Sequence, residues 1–167
     1  MDKSALFKLG YGVYIVSSFL DKKYNGQIAT VVFQVTSQPA RIATCINKEN
    51  LTHGYIEKSG FFGVSVLEQD TPIPFIGKFG FKSGRDKNKF EDTKYEIGET
   101  GTPLVTENSV AIMEAKVINQ MDIGTHTMFI GEIQGCKNLS NDIPLTYDYY
   151  HNVKKMKSPK AAPTYNG

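Results

Sequence analysis

The strongest constraint in this chain is an alternating pattern in its second half. Over residues 109–121 the apolar positions Val110, Ile112, Ala115 and Val117 sit between polar ones, and residues 125–135 alternate through His126, Met128, Ile130 and Glu132. Residues 122–124 lie between the two runs with turn chemistry. A period near two places one face of a strand against a core and the other in water. The two runs therefore predict one long β-hairpin.

The first half reads the same way. Residues 11–19 are rich in Val, Ile, Tyr and Phe, and residues 21–26 supply turn chemistry, with Asn25-Gly26 as a strong hairpin signal. Residues 27–36 then form a second strand, whose Val31-Val32-Phe33 run predicts burial on both faces. Pro39 interrupts, and residues 41–47 form a third. Residues 48–58 switch to helical spacing through Leu51, Tyr55 and Ile56, with Gly60 as the stop. Residues 61–67 return to strand. Residues 71–81 are a short helical or irregular piece weakened by Pro72 and Pro74, and residues 82–90 a polar loop. The fold class predicted is mainly β, an antiparallel closed or split barrel with a few inserted helices. A chain of 167 residues is one ordinary domain, able to bury roughly 70% of its unfolded surface. That domain is assigned to residues 1–153. Residues 154–167, rich in Lys, Ala and Pro, read as a tail or linker.

Several function classes are excluded at this level. A net charge of +2 is too balanced to argue for nucleic acid or an anionic membrane. No signal peptide and no apolar run of bilayer length occur, which predicts a soluble cytoplasmic protein. Cys45 and Cys136 are isolated, form no C-x-x-C pair, and read as small core residues. His53, His126 and His151 are too dispersed for a metal site. There is no G-x-S-x-G, P-loop, H-E-x-x-H or dinucleotide fingerprint. An enzyme built from this chain would take its hard chemistry from a cofactor.

Three segments carry residues suited to an anionic ligand. In Cys45-Ile46-Asn47-Lys48-Glu49-Asn50-Leu51-Thr52 a strand runs into a helix start, where free N–H groups and the helix dipole favour a phosphate. From spacing alone a plain cap at Asn47 with a solvated Lys48 is the commoner outcome. In Phe81-Lys82-Ser83-Gly84-Arg85-Asp86-Lys87-Asn88-Lys89 several cations surround a glycine, as in an anion-binding concavity or a solvated loop. In Gly124-Thr125-His126-Thr127 a histidine opens a strand beside a turn, facing either a ligand or water.

These segments, with Asn25-Gly26-Gln27-Ile28-Ala29-Thr30 before them and Ser59-Gly60-Phe61-Phe62-Gly63 among them, resemble in content and order the flavin reductase-like family of FMN-binding split barrels. The resemblance runs from about residue 7 to about residue 153. It is nearest to flavoredoxin and the flavin domain of high-molecular-weight rubredoxin. It implies a non-covalent FMN, with FAD less favoured, usually in a homodimer. It implies that NAD(P)H or a redox partner such as rubredoxin donates electrons, and that a protein or small molecule accepts them. The alternatives are an FMN electron carrier without NAD(P)H turnover and, more remotely, a non-flavin OB-like module. Thr30, Val31 and Gln34 are then expected near the flavin ring, and Cys45, Ile46, Asn47 and Lys48 along the ribityl chain. Asn50, Thr52 and Arg85 would hold the phosphate, with Lys48 possible there too. Phe81, Lys82, Ser83 and Gly84 would line the same cavity, and His126 would lie near the nicotinamide approach.

Overall fold

The computed structural model describes residues 2–165, apart from the side chains of residues 3, 4 and 7. The element order is β1 (Tyr14–Leu20), β2 (Lys23–Ala29), β3 (Val32–Ser37), β4 (Ala40–Asn47), α1 (Leu51–Ser59), β5 (Phe61–Leu67), α2 (Ile73–Gly80), β6 (Tyr95–Ile97), β7 (Pro103–Val105), β8 (Ser109–Asp122) and β9 (His126–Asn138). Among the described residues seven strands form one antiparallel sheet in the order β2-β1-β5-β8-β9-β4-β3, while β6 and β7 pair separately.

This strand order makes the sheet roll up. Its two edges, β2 and β3, are consecutive in the chain and joined only by Thr30 and Val31. Three peptide steps reach at most about 11 Å. The edges of a flat seven-stranded sheet would stand about 29 Å apart. The edges therefore meet without pairing, which is a barrel split along one seam. Bulges in the β8–β9 ladder, between Glu114 and Ala115 and between Val117 and Asn119, supply local bending.

The interior of the barrel is apolar. Val16, Ile42, Ile46, Ile56, Phe62, Val64, Ala115 and Phe129 form one buried cluster. Full burial of such side chains contributes roughly 1.5–3 kcal/mol each. Gly131 lies across from Phe62, and a Cβ there would stand 2.6 Å from the ring, so only glycine lets the aromatic close the interior. A second cluster seals the outside of β1 and β2 with α2: Ile15, Leu67, Ile76, Phe79, Phe90, Leu145, Tyr147 and Tyr150.

The long hairpin, the β5 strand and α1 with its left-handed Gly60 stop all lie where the sequence places them. Several expectations are corrected. Asn25-Gly26 is not a turn: both lie inside β2, and Asp21-Lys22 makes the reversal, with Asp21 at φ 55, a conformation Asp tolerates. Gly26 instead lets Phe90, Phe79 and Ile15 pack closely over the strand. Residues 27–36 are two strands broken at Thr30-Val31, and the Val31-Val32-Phe33 run is not buried on both faces. Phe33 and Val35 are exposed, because β3 is an edge strand. Cys136 is exposed on β9, whereas Cys45 is buried. The loop over residues 82–90 is polar only in part: Lys89 and Phe90 are buried. Among the described residues no helix is long and apolar enough to cross a membrane.

Candidate functional site

A cavity of about 310 Å³ opens at the seam, between the β2 edge and the end of β4. At the end of β2, Ile28, Ala29 and the following Thr30 all line it, while strand alternation places Asn25 and Gln27 of β2 and Cys45 and Asn47 of β4 on its walls. Ile46, between the last two, points the opposite way and is fully buried in the barrel interior.

One end of the cavity is polar. The helix α1 begins here with Asn50 as the N-cap residue, in extended conformation, and its side chain makes no capping bond. Among the described residues the first turn has no side-chain cap at its positive dipole end; the His53 N–H is taken by the Asn50 carbonyl at 3.0 Å. Asn47 does not cap the helix; its Oδ1 accepts the Glu49 N–H at 2.9 Å, which fixes the corner between strand and helix. Asn25 donates from Nδ2 to Thr52 Oγ1 at 2.8 Å, tying β2 to the first turn. A Cβ at Gly84 would lie 2.0 Å from Asn25 Oδ1, so the Ser83-Gly84-Arg85 loop approaches this corner only because residue 84 is glycine. Arg85 donates from Nη2 to the Glu49 carbonyl at 3.2 Å, which closes loop onto corner.

Charge in the cavity is predominantly positive. Lys82, Arg85 and Lys89 line it, against the single carboxylate of Glu49. Lys89 is only 4% exposed, and its Nζ donates to the Gly26 carbonyl at 2.9 Å and to the Phe79 carbonyl at 3.2 Å. No carboxylate neutralises it among the described residues. Burial lowers its pKa from 10.5 to about 8. A buried ammonium with a third donor to spare suits an anionic ligand.

The other end is covered by the C-terminal segment. Ser158, Pro159, Ala161, Ala162 and Pro163 line the cavity there, beside Tyr147, Tyr150 and Ile76. Thr164 is buried; its Oγ1 lies 3.3 Å from Thr30 Oγ1 and 2.8 Å from Ser158 Oγ. Ser158 also donates to the Tyr147 hydroxyl at 2.9 Å. Composition reads this segment as a plain tail or linker; in the structure residues 158–164 lie as a strap over one end of the cavity. Residues 166 and 167 lie outside the described residues.

Of the residues singled out by sequence, Thr30, Cys45, Asn47, Asn50, Thr52, Phe81, Lys82, Ser83, Gly84 and Arg85 line this one cavity. The others do not. Val31 lines a separate outer depression with Phe33. Gln34 is exposed on β3 and donates to the Thr36 carbonyl. Lys48 points away along the outside and pairs with Asp122 at 2.6 Å. The Lys48 hydrogen bond, then one from the Gly124 N–H, holds the Asp122 carboxyl below its usual range. His126 lies behind the strap, with Nε2 3.2 Å from the Ala161 carbonyl. Burial pushes the Cys45 thiol up, which disfavours a thiolate. Asn25, Gln27 and Lys89 also line the cavity; they lie in the segments 25–30 and 81–89 that the sequence singles out, but without a site role of their own there, and the strap has no place at the cavity in that reading.

The chain compares closely with known proteins. The flavin reductase like domain matches residues 6–154. A ferric-chelate reductase (NAD(P)H) of Archaeoglobus fulgidus is 50% identical over 99% of this chain and 98% of that protein. A high molecular weight rubredoxin of Moorella thermoacetica is 44% identical over 99% of this chain and 72% of its own length. An NADH:FAD oxidoreductase of Streptomyces globisporus shares the fold at a TM-score of 0.77 and 22% identity, covering 87% of this chain and 88% of that one. The split barrel, its seam cavity and the match along almost the whole length agree: the chain belongs to the flavin reductase-like family.

Proposed function

We propose that the protein is an FMN-dependent oxidoreductase that takes electrons from NAD(P)H and delivers them to a ferric chelate or a protein acceptor. The observation that carries this reading is the seam cavity, with helix N–H groups, three cations and one carboxylate around a slot between strands. The residues present fit FMN. A phosphomonoester carries about −2 charge near neutral pH. The α1 first turn and Ser83 to Arg85 would hold it by charge-assisted bonds. The β2 edge at Ala29 and Thr30 would take the ring. When bound, FMN supplies the electron chemistry that no side-chain constellation of this chain provides. The chain's part is to hold the phosphate, orient the ring against β2 and keep water out with the strap.

The donor and acceptor follow the ferric-chelate reductase relative. The similarity to a high molecular weight rubredoxin favours a second reading, an FMN carrier that exchanges electrons only with a protein such as rubredoxin. Anaerobic mixing of the flavin-loaded protein with NADH and with NADPH separates the two. Bleaching of the flavin band within seconds, followed by two ferrous ions per nicotinamide oxidised, supports the reductase. No bleaching with either nucleotide, but prompt re-oxidation by rubredoxin after chemical reduction, supports the carrier. A chain that stays colourless after incubation with excess FMN defeats both.

A cytoplasmic homodimer completes the proposal. Phe33 and Val35 on the β3 edge, with Ile118, Met121 and Ile123 at the hairpin end, expose apolar surface of the kind that subunits cover. Sedimentation as a monomer at micromolar concentration would refute the dimer.

A further inference from the structure

We propose that Gln27 is a specificity residue for the polyol chain of the flavin, an inference that rests on the FMN reading above. Three buried side-chain oxygens have no hydrogen-bond partner among the described residues: Gln27 Oε1, Thr44 Oγ1 and Ser65 Oγ. Only Gln27 lines the seam cavity. A buried carboxamide oxygen without a donor is unfavourable; Gln27 as a residue is only half-buried, and turning its amide about the last side-chain bond presents Oε1 to a donor in the cavity. Gln27 is also held in place. Lys89 donates to the Gly26 carbonyl, the acceptor of the peptide group that leads into Gln27.

Position along β2 says which part of the ligand meets it. Asn25, two residues before, touches Thr52 and the Gly84 corner, where the anionic group belongs. Ala29, two residues after, adjoins Thr30 and the strap. A step of two residues along a strand is about 7 Å, comparable with the span of a five-carbon chain between a phosphate and a ring. Gln27 therefore faces the middle of the slot. A carboxamide accepts through Oε1 and donates through Nε2, which matches hydroxyl groups that do both. The chemistry recognised is a polyol.

The test uses the full-length apoprotein and three ligands: FMN, riboflavin, and lumiflavin, which has the ring without the polyol. Binding is read by quenching of ligand fluorescence for the parent, Gln27→Leu and Gln27→Asn. Both variants are expected to weaken FMN and riboflavin about five- to tenfold and to leave lumiflavin within twofold of the parent. An equal loss for all three ligands would place Gln27 against the ring or in the fold and overturn the assignment, as would no loss for any. Gln27→Asn keeps a carboxamide and guards against a folding defect in Gln27→Leu. If the parent itself binds none of the three, the FMN reading fails, a result distinct from an unaltered variant.

Discussion

The two ends of the seam cavity are built in opposite ways. The polar end is made by the turn from β4 into α1, a stretch of a few residues, joined by Asn25 and the residue 83–85 loop. The strap end is made by residues 158–164 meeting Thr30 across 134 positions of sequence. The first starts from local chain geometry, a strand end running into a helix start, to which Asn25 and the Gly84 loop are added from 27 and 36 residues away. The second exists only because the fold brings the C-terminal segment back over the β2 edge. Ligand recognition is therefore expected to depend most on the polar end, and water exclusion and exchange on the strap.

The largest effect should come from Gly84→Val. The corner has no room for a Cβ beside Asn25. Overpacking of this kind typically costs about 1–3 kcal/mol of stability. FMN affinity should fall by about a hundredfold, on the order of 3 kcal/mol. Titration with FMN and a thermal melt read the two effects. Retention of affinity would show that the loop can withdraw from the corner without disturbing the site.

Lys89→Met comes next. Replacing the buried ammonium should cost FMN about tenfold and riboflavin much less, since only FMN carries the anion. The pH dependence of the apoprotein is a second readout. Below about pH 8 Lys89 is charged in both the folded and unfolded chain, and its burial opposes folding. Between about 8 and 10.5 the folded chain loses the proton first, the cost is relieved, and stability rises by up to about 3 kcal/mol. Burial raises the pKa of Cys45, Tyr14 and Tyr150, which lowers stability as pH rises through their unfolded values. The comparison with Lys89→Met isolates the lysine. Identical urea-denaturation profiles from pH 8 upward for parent and variant would remove the buried cation from the account.

Arg85→Ala should weaken FMN about tenfold, in line with a charge-assisted bond of about 1.5 kcal/mol, and riboflavin little. Lys48→Ala should leave both ligands unchanged, because Lys48 faces Asp122 outside the cavity. A selective loss of FMN in Lys48→Ala would move the phosphate to the outer face of the corner. Truncation after Val153 should have the smallest effect on equilibrium affinity of the changes made at the cavity itself, about threefold, while accelerating FMN release. Unchanged release would mean that the strap contacts carry no function.

Much of this was legible in the chain because it is short-range. Alternation marked the β8–β9 hairpin, a change of period marked α1, and a corner with donors suited to an anion was visible in Asn50, Thr52 and Ser83 to Arg85. The errors share a cause. Asn25-Gly26 has turn propensity, yet its pairing with β1 and the aromatic contacts on Gly26 hold it in a strand. Val31 to Phe33 has the hydrophobicity of a central strand but lies at the seam. Lys48 and Lys89 look alike in sequence; one is half in water with a carboxylate and the other is buried against two carbonyls.

By itself, then, the sequence determined the elements, their antiparallel pairing within hairpins, and the chemistry of the β4–α1 corner. Periodicity, turn residues and helix ends act over a few residues and need nothing distant. The tertiary structure alone decided where the sheet splits, which of two lysines lies inside, and that the C-terminal segment lines one end of the cavity. Those outcomes depend on which distant surfaces meet when the two edge strands are drawn together, and no local pattern encodes that meeting.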